Sequence, residues 1–515
     1  MKRDSRRGKW HVYCRGRENF IGGRYTVKQS NAKRPMTSLL GTEFIERIIE
    51  EAKDVLEQVG VWVENGETLE LLGNGGARID KVNKKAFIPK KLVEESLKSV
   101  PSSVKFYDRD GNLAMDLSGD NFYFNSCTAP YIWDPVLNKV REVQTADLID
   151  TIRLVDALEN LDGQYPGEAT EFPRQVWDLT KVFFSLKYSV KPIQSSIYNK
   201  DSFQAYKEML VAVRGSGKAL EEKPLCSLPI CQSPPLRWSD LVGYATMRGA
   251  ENGIPVLMMP MPIEGATAPV TIAGATVQHT AENLSGVVIT QLTKKGAPII
   301  WSACPSVFDM RYGTTPMGSI ETQMIIMACS EVGKYLNIPT NALTAMSDAK
   351  RHDAQMALEC AIGAMLGALG RANLISGVGI LNFTLGDSLA GVVIGNEICG
   401  NVRRLIKGIT PRGERLAEDL FTAGLEEGKH FLMSPNTIKW FKEEYYFPGL
   451  VIDREVEEVW TEKGSTTAEQ RAEEEAKRML ASHKPKPLDK DVDKELVSIM
   501  TREAQKYGMS KLPLP

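Results

Sequence analysis

The chain has 515 residues, 43% hydrophobic and 25% charged, with a formal net charge of −2. This is the composition of a globular protein with a large core. So small a net charge excludes nucleic acid as a bulk partner, because phosphate binding needs a strong positive excess. Eight scattered cysteines without a C-x-x-C pair, and five histidines without an H-x-x-H or H-E-x-x-H motif, encode neither a zinc site nor a disulfide scaffold.

Segment 1–35 is basic and rich in Gly, Ser and Asn. It lacks the apolar stretch of a signal peptide and reads as an arm. No run of about 18 apolar residues occurs, so no membrane span is expected, and a reducing cytoplasm is the expected location. Residues 36–120 read as an α+β cap. Phe44, Ile48, Ala52, Val55, Leu56 and Val59 recur at helical spacing up to Gly60. A strand from Val61, a short helix over 67–72, a strand from Ala77 and a helix over 89–100 follow.

From residue 121 short apolar runs alternate with amphipathic stretches. Strands are expected over 121–129, 162–167, 191–198, 225–231, 254–262, 297–304, 340–346 and 374–383, each followed by a helix, with the first two strands the weakest. Runs such as Pro-Val-Leu-Met-Met-Pro are apolar on both faces, as buried parallel strands are. Eight strand–helix units between 121 and 410 predict a (β/α)₈ TIM barrel; an open doubly wound sheet is the alternative if the first two strands fail. Residues 411–515 read as a helical, charged extension, with an aromatic helix over 436–446 and a charged one over 469–480.

A barrel carries its chemistry on the loops after its strands. There the sequence places Tyr165 and Glu168 (second loop), Phe308, Arg311 and Tyr312 (sixth), Asp348, Lys350, His352 and Asp353 (seventh), and Asn382, Phe383 and Asp387 (eighth). Trp301 lies near the end of the sixth strand. The seventh turn is crowded with titratable groups, although Ser347 or Asp353 could serve only to cap the next helix. Aromatic faces attract a cation that donates no hydrogen bonds, such as a quaternary ammonium. No Walker loop, no G-x-G-x-x-G between strand and helix and no G-x-S-x-G elbow is present, so no resident nucleotide or metal is expected.

The runs Asp309-Met-Arg311 with Gly313-Thr-Thr-Pro-Met-Gly-Ser, Ser347-Asp-Ala-Lys through Gln355, Gly265-Ala-Thr-Ala-Pro269 and Asp147–Pro166 together resemble the trimethylamine methyltransferase (MttB) superfamily. The likeness covers roughly 41–408 and also includes the Leu-Glu-Gln-Val-Gly-Val that ends the first helix. It implies a barrel that moves a methyl group from a methylated amine to the cobalt of a corrinoid carried by a separate protein, with no cofactor bound permanently. It also implies a homo-oligomer, to which the charged extension could contribute. The founding members carry pyrrolysine, whereas this chain uses only the ordinary twenty residues. It therefore resembles the branch that demethylates quaternary amines such as glycine betaine. On that reading aromatic side chains with Glu168 or Asp353 hold the ammonium, and Arg311, Lys350 or His352 hold a substrate carboxylate. Two other readings remain open: a Schiff-base enzyme using Lys350, and a betaine-binding protein without catalysis.

Overall fold

The computed structural model describes residues 2–3, 10–11, 33–412, 416–422 and 430–514. They divide into two compact units, one of Met1–Arg34 with Lys407–His430 and one of Pro35–Ile406 with Phe431–Pro515. In the smaller unit, Lys2–Arg3 pairs antiparallel with Trp10–His11, and Glu418–Thr422 is a short helix. The rest of the basic arm, up to residue 32, lies outside the described residues. The larger unit contains the barrel.

Seven parallel strands form one sheet: Ile193–Gln194, Cys226–Ile230, Val256–Met258, Ile299–Ala303, Thr340–Leu343, Leu374–Val378 and Tyr123–Ser126. Their order follows the chain except that the first strand, Tyr123–Ser126, pairs with the last. The remaining gap is closed by a segment that bridges in parallel on both sides, Gly163 to Asn125 and Gln164 to Ile193. Gln164 N donates to Pro192 O at 3.0 Å, and Gln194 N to Gln164 O at 2.8 Å. The sheet therefore closes into an eight-stranded barrel and is not an open doubly wound sheet. The closing position requires glycine: a Cβ at Gly163 would stand 2.4 Å from Asn125 Oδ1.

Eight helices follow the eight strands: Thr145–Ala157, Trp177–Tyr188, Ser202–Arg214, Asp240–Glu251, Ile272–Thr293, Ile320–Tyr335, Ala354–Leu369 and Leu389–Ile406. The expected strand over 374–383 is in fact two. Gly377 and Gly379 adopt φ of +109° and +97°, which ends the parallel strand, and Ile380–Leu381 turns to pair antiparallel with Gly386–Asp387. Those two residues run parallel to Tyr131–Asp134, itself in a hairpin with Lys139–Glu142, forming a small second sheet from the first and eighth loops. The N-terminal end of the barrel is filled by another hairpin, Lys105–Tyr107 with Leu113–Asp116. Its Phe106 and Met115, with Leu117 just after it, pack into the barrel's interior core.

The fifth helix, Ile272–Thr293, is buried on every side from Ala275 to Gln291. A helix without a polar face must be covered all round. The N-terminal helices Thr42–Asp54, Gly66–Asn74 and Lys90–Leu97 cover it from outside, and its barrel neighbours Asp240–Glu251 and Ile320–Tyr335 flank it. The N-terminal sheet is tied to the barrel directly, since Val61–Val63 pairs with Arg237–Trp238 of the fourth loop. At the other end of the chain, Ala468–Ser482 packs on the first and eighth barrel helices, and Lys490–Gln505 on the second and third. No described helix is long and apolar enough to cross a membrane.

The buried fifth helix carries a carboxylic acid. Glu282 is 1% exposed; its Oε1 accepts from Leu236 N at 2.9 Å and Gln278 Nε2 at 3.1 Å, while Oε2 has no partner among the described residues. Burial pushes its pKa up to about 7 from an ordinary 4.5. The folded state then binds the proton more tightly than the unfolded state, so stability falls as pH rises from 4.5 towards 7. At about 1.4 kcal/mol per pKa unit the loss is about 3 kcal/mol. Glu282→Gln is expected to raise the melting temperature at pH 8 and leave it nearly unchanged at pH 4.5. Equal melting temperatures for the two proteins at pH 8 would show that this carboxyl ionises at no cost.

Candidate active site

The C-terminal mouth of the barrel is built from apolar, soft and aromatic side chains. Cys127, Met259, Cys304 and Met346, each at or just past a strand end, belong to the interior core, and Tyr165 and Met261 pack against it half-buried. Burial pushes the Cys127 thiol up to about 12 and the Cys304 thiol well above the ordinary range, so both are neutral. Cys231, one residue beyond the fourth strand, is exposed although it lies near Tyr165, Tyr198 and Cys304. Solvent therefore reaches into the mouth.

One charged cluster stands among these groups. Lys181, on the second barrel helix, is buried, and its Nζ lies 2.6 Å from Glu168 Oε1 and 2.6 Å from the Tyr198 hydroxyl. The Tyr198 hydroxyl also donates to Glu168 Oε1. The ammonium sits 5.4 Å from the Tyr165 ring centre and 5.0 Å from that of Tyr198, at the range where a ring face attracts a cation. Burial opposes the charge on Lys181, but Glu168 and Tyr165 outweigh it, and its pKa lies above the ordinary lysine value. Burial, reinforced by Glu168, raises the Tyr198 phenol. Lys181 is thus protonated and the Tyr198 phenol neutral.

Segments 127–129 and 165–167 run together beside it. Thr128 N donates to Tyr165 O at 3.0 Å, Gly167 N donates to Thr128 Oγ1, and a Cβ at Gly167 would meet Ala129 O at 2.6 Å. On the far side of this pair Ala129 N donates to Asp387 Oδ2 at 3.3 Å. Asp387 is buried, its Oδ1 has no partner among the described residues, and burial raises its pKa well above the ordinary value. In the fifth loop Glu264 Oε2 is likewise unpartnered, and burial raises that carboxyl too.

The seventh turn is mostly engaged in holding the structure. Asp348 receives the N–H groups of Met317 and Gly318, each at 2.8 Å, and so braces the sixth loop; burial raises its pKa despite them. Asp353 caps the seventh helix, accepting from Gln355 N and Met356 N. His352 is buried between Ser388 Oγ at 2.9 Å and Glu473 Oε1 at 3.1 Å, which fastens the C-terminal extension to the eighth loop. Lys350 is exposed, donates to Asp348 O at 2.8 Å and lies 4.2 Å over the Phe383 ring. It lacks the desolvation that makes a lysine nucleophilic.

The sixth-loop residues lie further out. Arg311 is paired with Asp309 at 2.7 Å on the surface, Tyr312 is 77% exposed and Phe308 is half-buried. Trp301 is core: it is buried, and its indole N–H donates to Cys329 O of the sixth helix at 3.0 Å. Asn382, Phe383 and Thr384 in the eighth loop take three consecutive left-handed conformations, φ +49°, +57° and +70°. Such strain clusters at functional loops. Of the candidates read from the sequence, the structure brings Tyr165 and Glu168 together with Lys181 and Tyr198, neither of which the sequence reading selected. The available signal was Lys181 itself, a charge in the middle of the run Leu179–Leu186.

The sequence model of the trimethylamine methyltransferase (MTTB) family matches residues 15–508. The chain belongs to this family. It is a methyltransferase. Trimethylamine methyltransferase MttB of Desulfitobacterium hafniense (strain DSM 10664 / DCB-2) is 30% identical over 463 residues, 89% of this chain and 92% of that protein. Glycine betaine methyltransferase of Desulfitobacterium hafniense (strain Y51) is 27% identical over 478 residues, 92% of this chain and 98% of that protein. Among solved structures, the monomethylamine methyltransferase MtmB of Methanosarcina barkeri aligns over 92% of this chain and 89% of its own, with a TM-score of 0.47 and 9% identity.

For this family member the buried Lys181–Glu168 pair is a stability determinant that can be tested directly. Removing one partner of a buried pair costs about 3–5 kcal/mol because the other charge is left uncompensated. Lys181→Met is expected to lose stability on that scale in urea unfolding. Adding Glu168→Gln should recover part of the loss, since no lone carboxylate then remains. A double variant as unstable as the sum of the single ones would mean that the two groups do not act as a pair.

Proposed function

We propose that the chain transfers a methyl group from a quaternary amine of the glycine betaine type to the Co(I) centre of a corrinoid held by a separate protein. The observation that carries this reading is a family member written entirely in the ordinary twenty residues whose barrel mouth presents tyrosine faces, thiols and thioethers. The contact of the Lys181 ammonium with the Tyr165 and Tyr198 rings supports the reading that these rings favour a cation.

The chemistry asks little of the protein beyond positioning. The substrate nitrogen is already positive. When Co(I) attacks the methyl carbon, the C–N bond breaks with its electron pair going to nitrogen, and a neutral tertiary amine leaves. No proton has to be delivered, which fits a mouth whose thiols and phenols are held neutral. The chain's own work is to bind the cation, align the methyl group and exclude water. Alignment of reacting groups contributes about 7–11 kcal/mol in the best cases.

The test is consumption of Co(I), followed by its absorption, with the purified chain, a free or protein-bound corrinoid and each of glycine betaine, carnitine, proline betaine and trimethylamine. At least one quaternary amine is expected to react and trimethylamine is not. Reaction with trimethylamine alone would overturn the substrate class, and reaction with none, by a folded protein, would overturn the activity.

A further inference from the structure

The mouth holds more carboxyl groups than cations to pair them. Glu168 and Lys181 cancel each other within one hydrogen-bonded cluster. Asp387, on the other side of the 127–129 and 165–167 pair, is 3% exposed, and its Oδ1 has no partner among the described residues. Asp147 and Glu168 face it with like charge. Among the described residues the cations nearby are committed: Arg141 holds Asp134 and Asp147, and Lys181 holds Glu168. His352, next along through Ser388, is engaged by Glu473. A buried carboxyl without a positive partner keeps its proton, because the charged form is costly to desolvate.

We propose that Asp387 supplies the counter-charge for the quaternary ammonium bound at the barrel mouth. This rests on the reading given under Proposed function and names a residue that sets its preference for a cation. A quaternary ammonium cannot donate a hydrogen bond, so it is held by charge and by ring faces alone. A buried, singly bonded carboxylate near Cys127 of the mouth is suited to that task.

The proposal has a thermodynamic signature. Binding converts the Asp387 carboxyl to a carboxylate, and its proton passes to the buffer. The cation enters, one proton leaves, and the charge of the complex is unchanged.

The experiment is calorimetric titration of the full chain with tetramethylammonium, without any corrinoid, in two buffers of different ionisation enthalpy between pH 5 and 8. The wild-type chain is expected to release close to one proton per cation at the acid end, with affinity rising as pH rises. Asp387→Asn, whose side-chain oxygen can still accept from Ala129 N, is expected to lose proton release and at least tenfold in affinity, with its melting temperature as the control for folding. Should Asp387→Asn not fold, the pH dependence and proton release of the wild-type chain carry the test alone. Cation binding with no proton release at any pH, or unchanged proton release in Asp387→Asn, overturns the counter-charge role and leaves the methyl-transfer reading standing. A folded wild-type chain that binds no tetramethylammonium overturns the proposal. If it also consumes no Co(I) with any quaternary amine, the methyl-transfer reading fails as well.

Discussion

The ammonium of Lys181 lies buried in the barrel mouth, answered by the Glu168 carboxylate, the Tyr198 hydroxyl and two aromatic faces. Taking such a pair out of water costs several kcal/mol per ion, and the cost is recovered only if the partners stay in register. The cluster therefore dictates how three separate pieces of chain meet. Glu168 comes from the second loop, Lys181 from the second helix and Tyr198 from the third loop. The segment carrying Glu168 is in turn fixed on 127–129 of the first loop, and through Ala129 on Asp387 of the eighth. The open, soft-lined mouth is the space this framework leaves.

Much of the barrel was legible in the sequence because parallel strands covered on both faces are apolar throughout, and each is followed by a helix of ordinary periodicity. Segment 162–167 was faint for a physical reason: it joins the barrel through isolated bridges at Gly163 and Gln164, with a glycine where a longer strand would carry an apolar residue. The Lys105–Tyr107 and Leu113–Asp116 hairpin was missed because only Phe106 and Met115 turn inward, too few to make a pattern. The last strand was read too long because apolar residues continue past Gly377 and Gly379, and only their left-handed backbone separates the two pieces.

The site was less legible than the fold. The titratable groups of the seventh turn look catalytic as a list, yet Asp348 and Asp353 serve backbone N–H groups and His352 joins distant parts of the chain. Spacing along a sequence cannot distinguish a carboxylate that braces a loop from one that meets a ligand, since both favour the same strand-to-helix turn. Lys181 shows the opposite failure. A single lysine is easily read as solvated, although the run around it leaves the helix no polar face to carry it.

The C-terminal helices bear on the order in which the molecule can be made. They pack on the first, second, third and eighth barrel helices, the group surrounding the two-residue bridge that closes the sheet. During synthesis the strands from Ile193 to Val378 emerge consecutively, each able to pair with its predecessor, and the sheet can close by pairing of Tyr123–Ser126 with Leu374–Val378 only after that last strand has appeared. The clasp over the weakest seam is made by residues that follow every barrel strand in the chain. A nascent chain therefore passes through a stage with a nearly complete sheet and an unsupported seam, exposing the faces of those four helices that the C-terminal helices later cover. That interval is where a chaperone would find this protein.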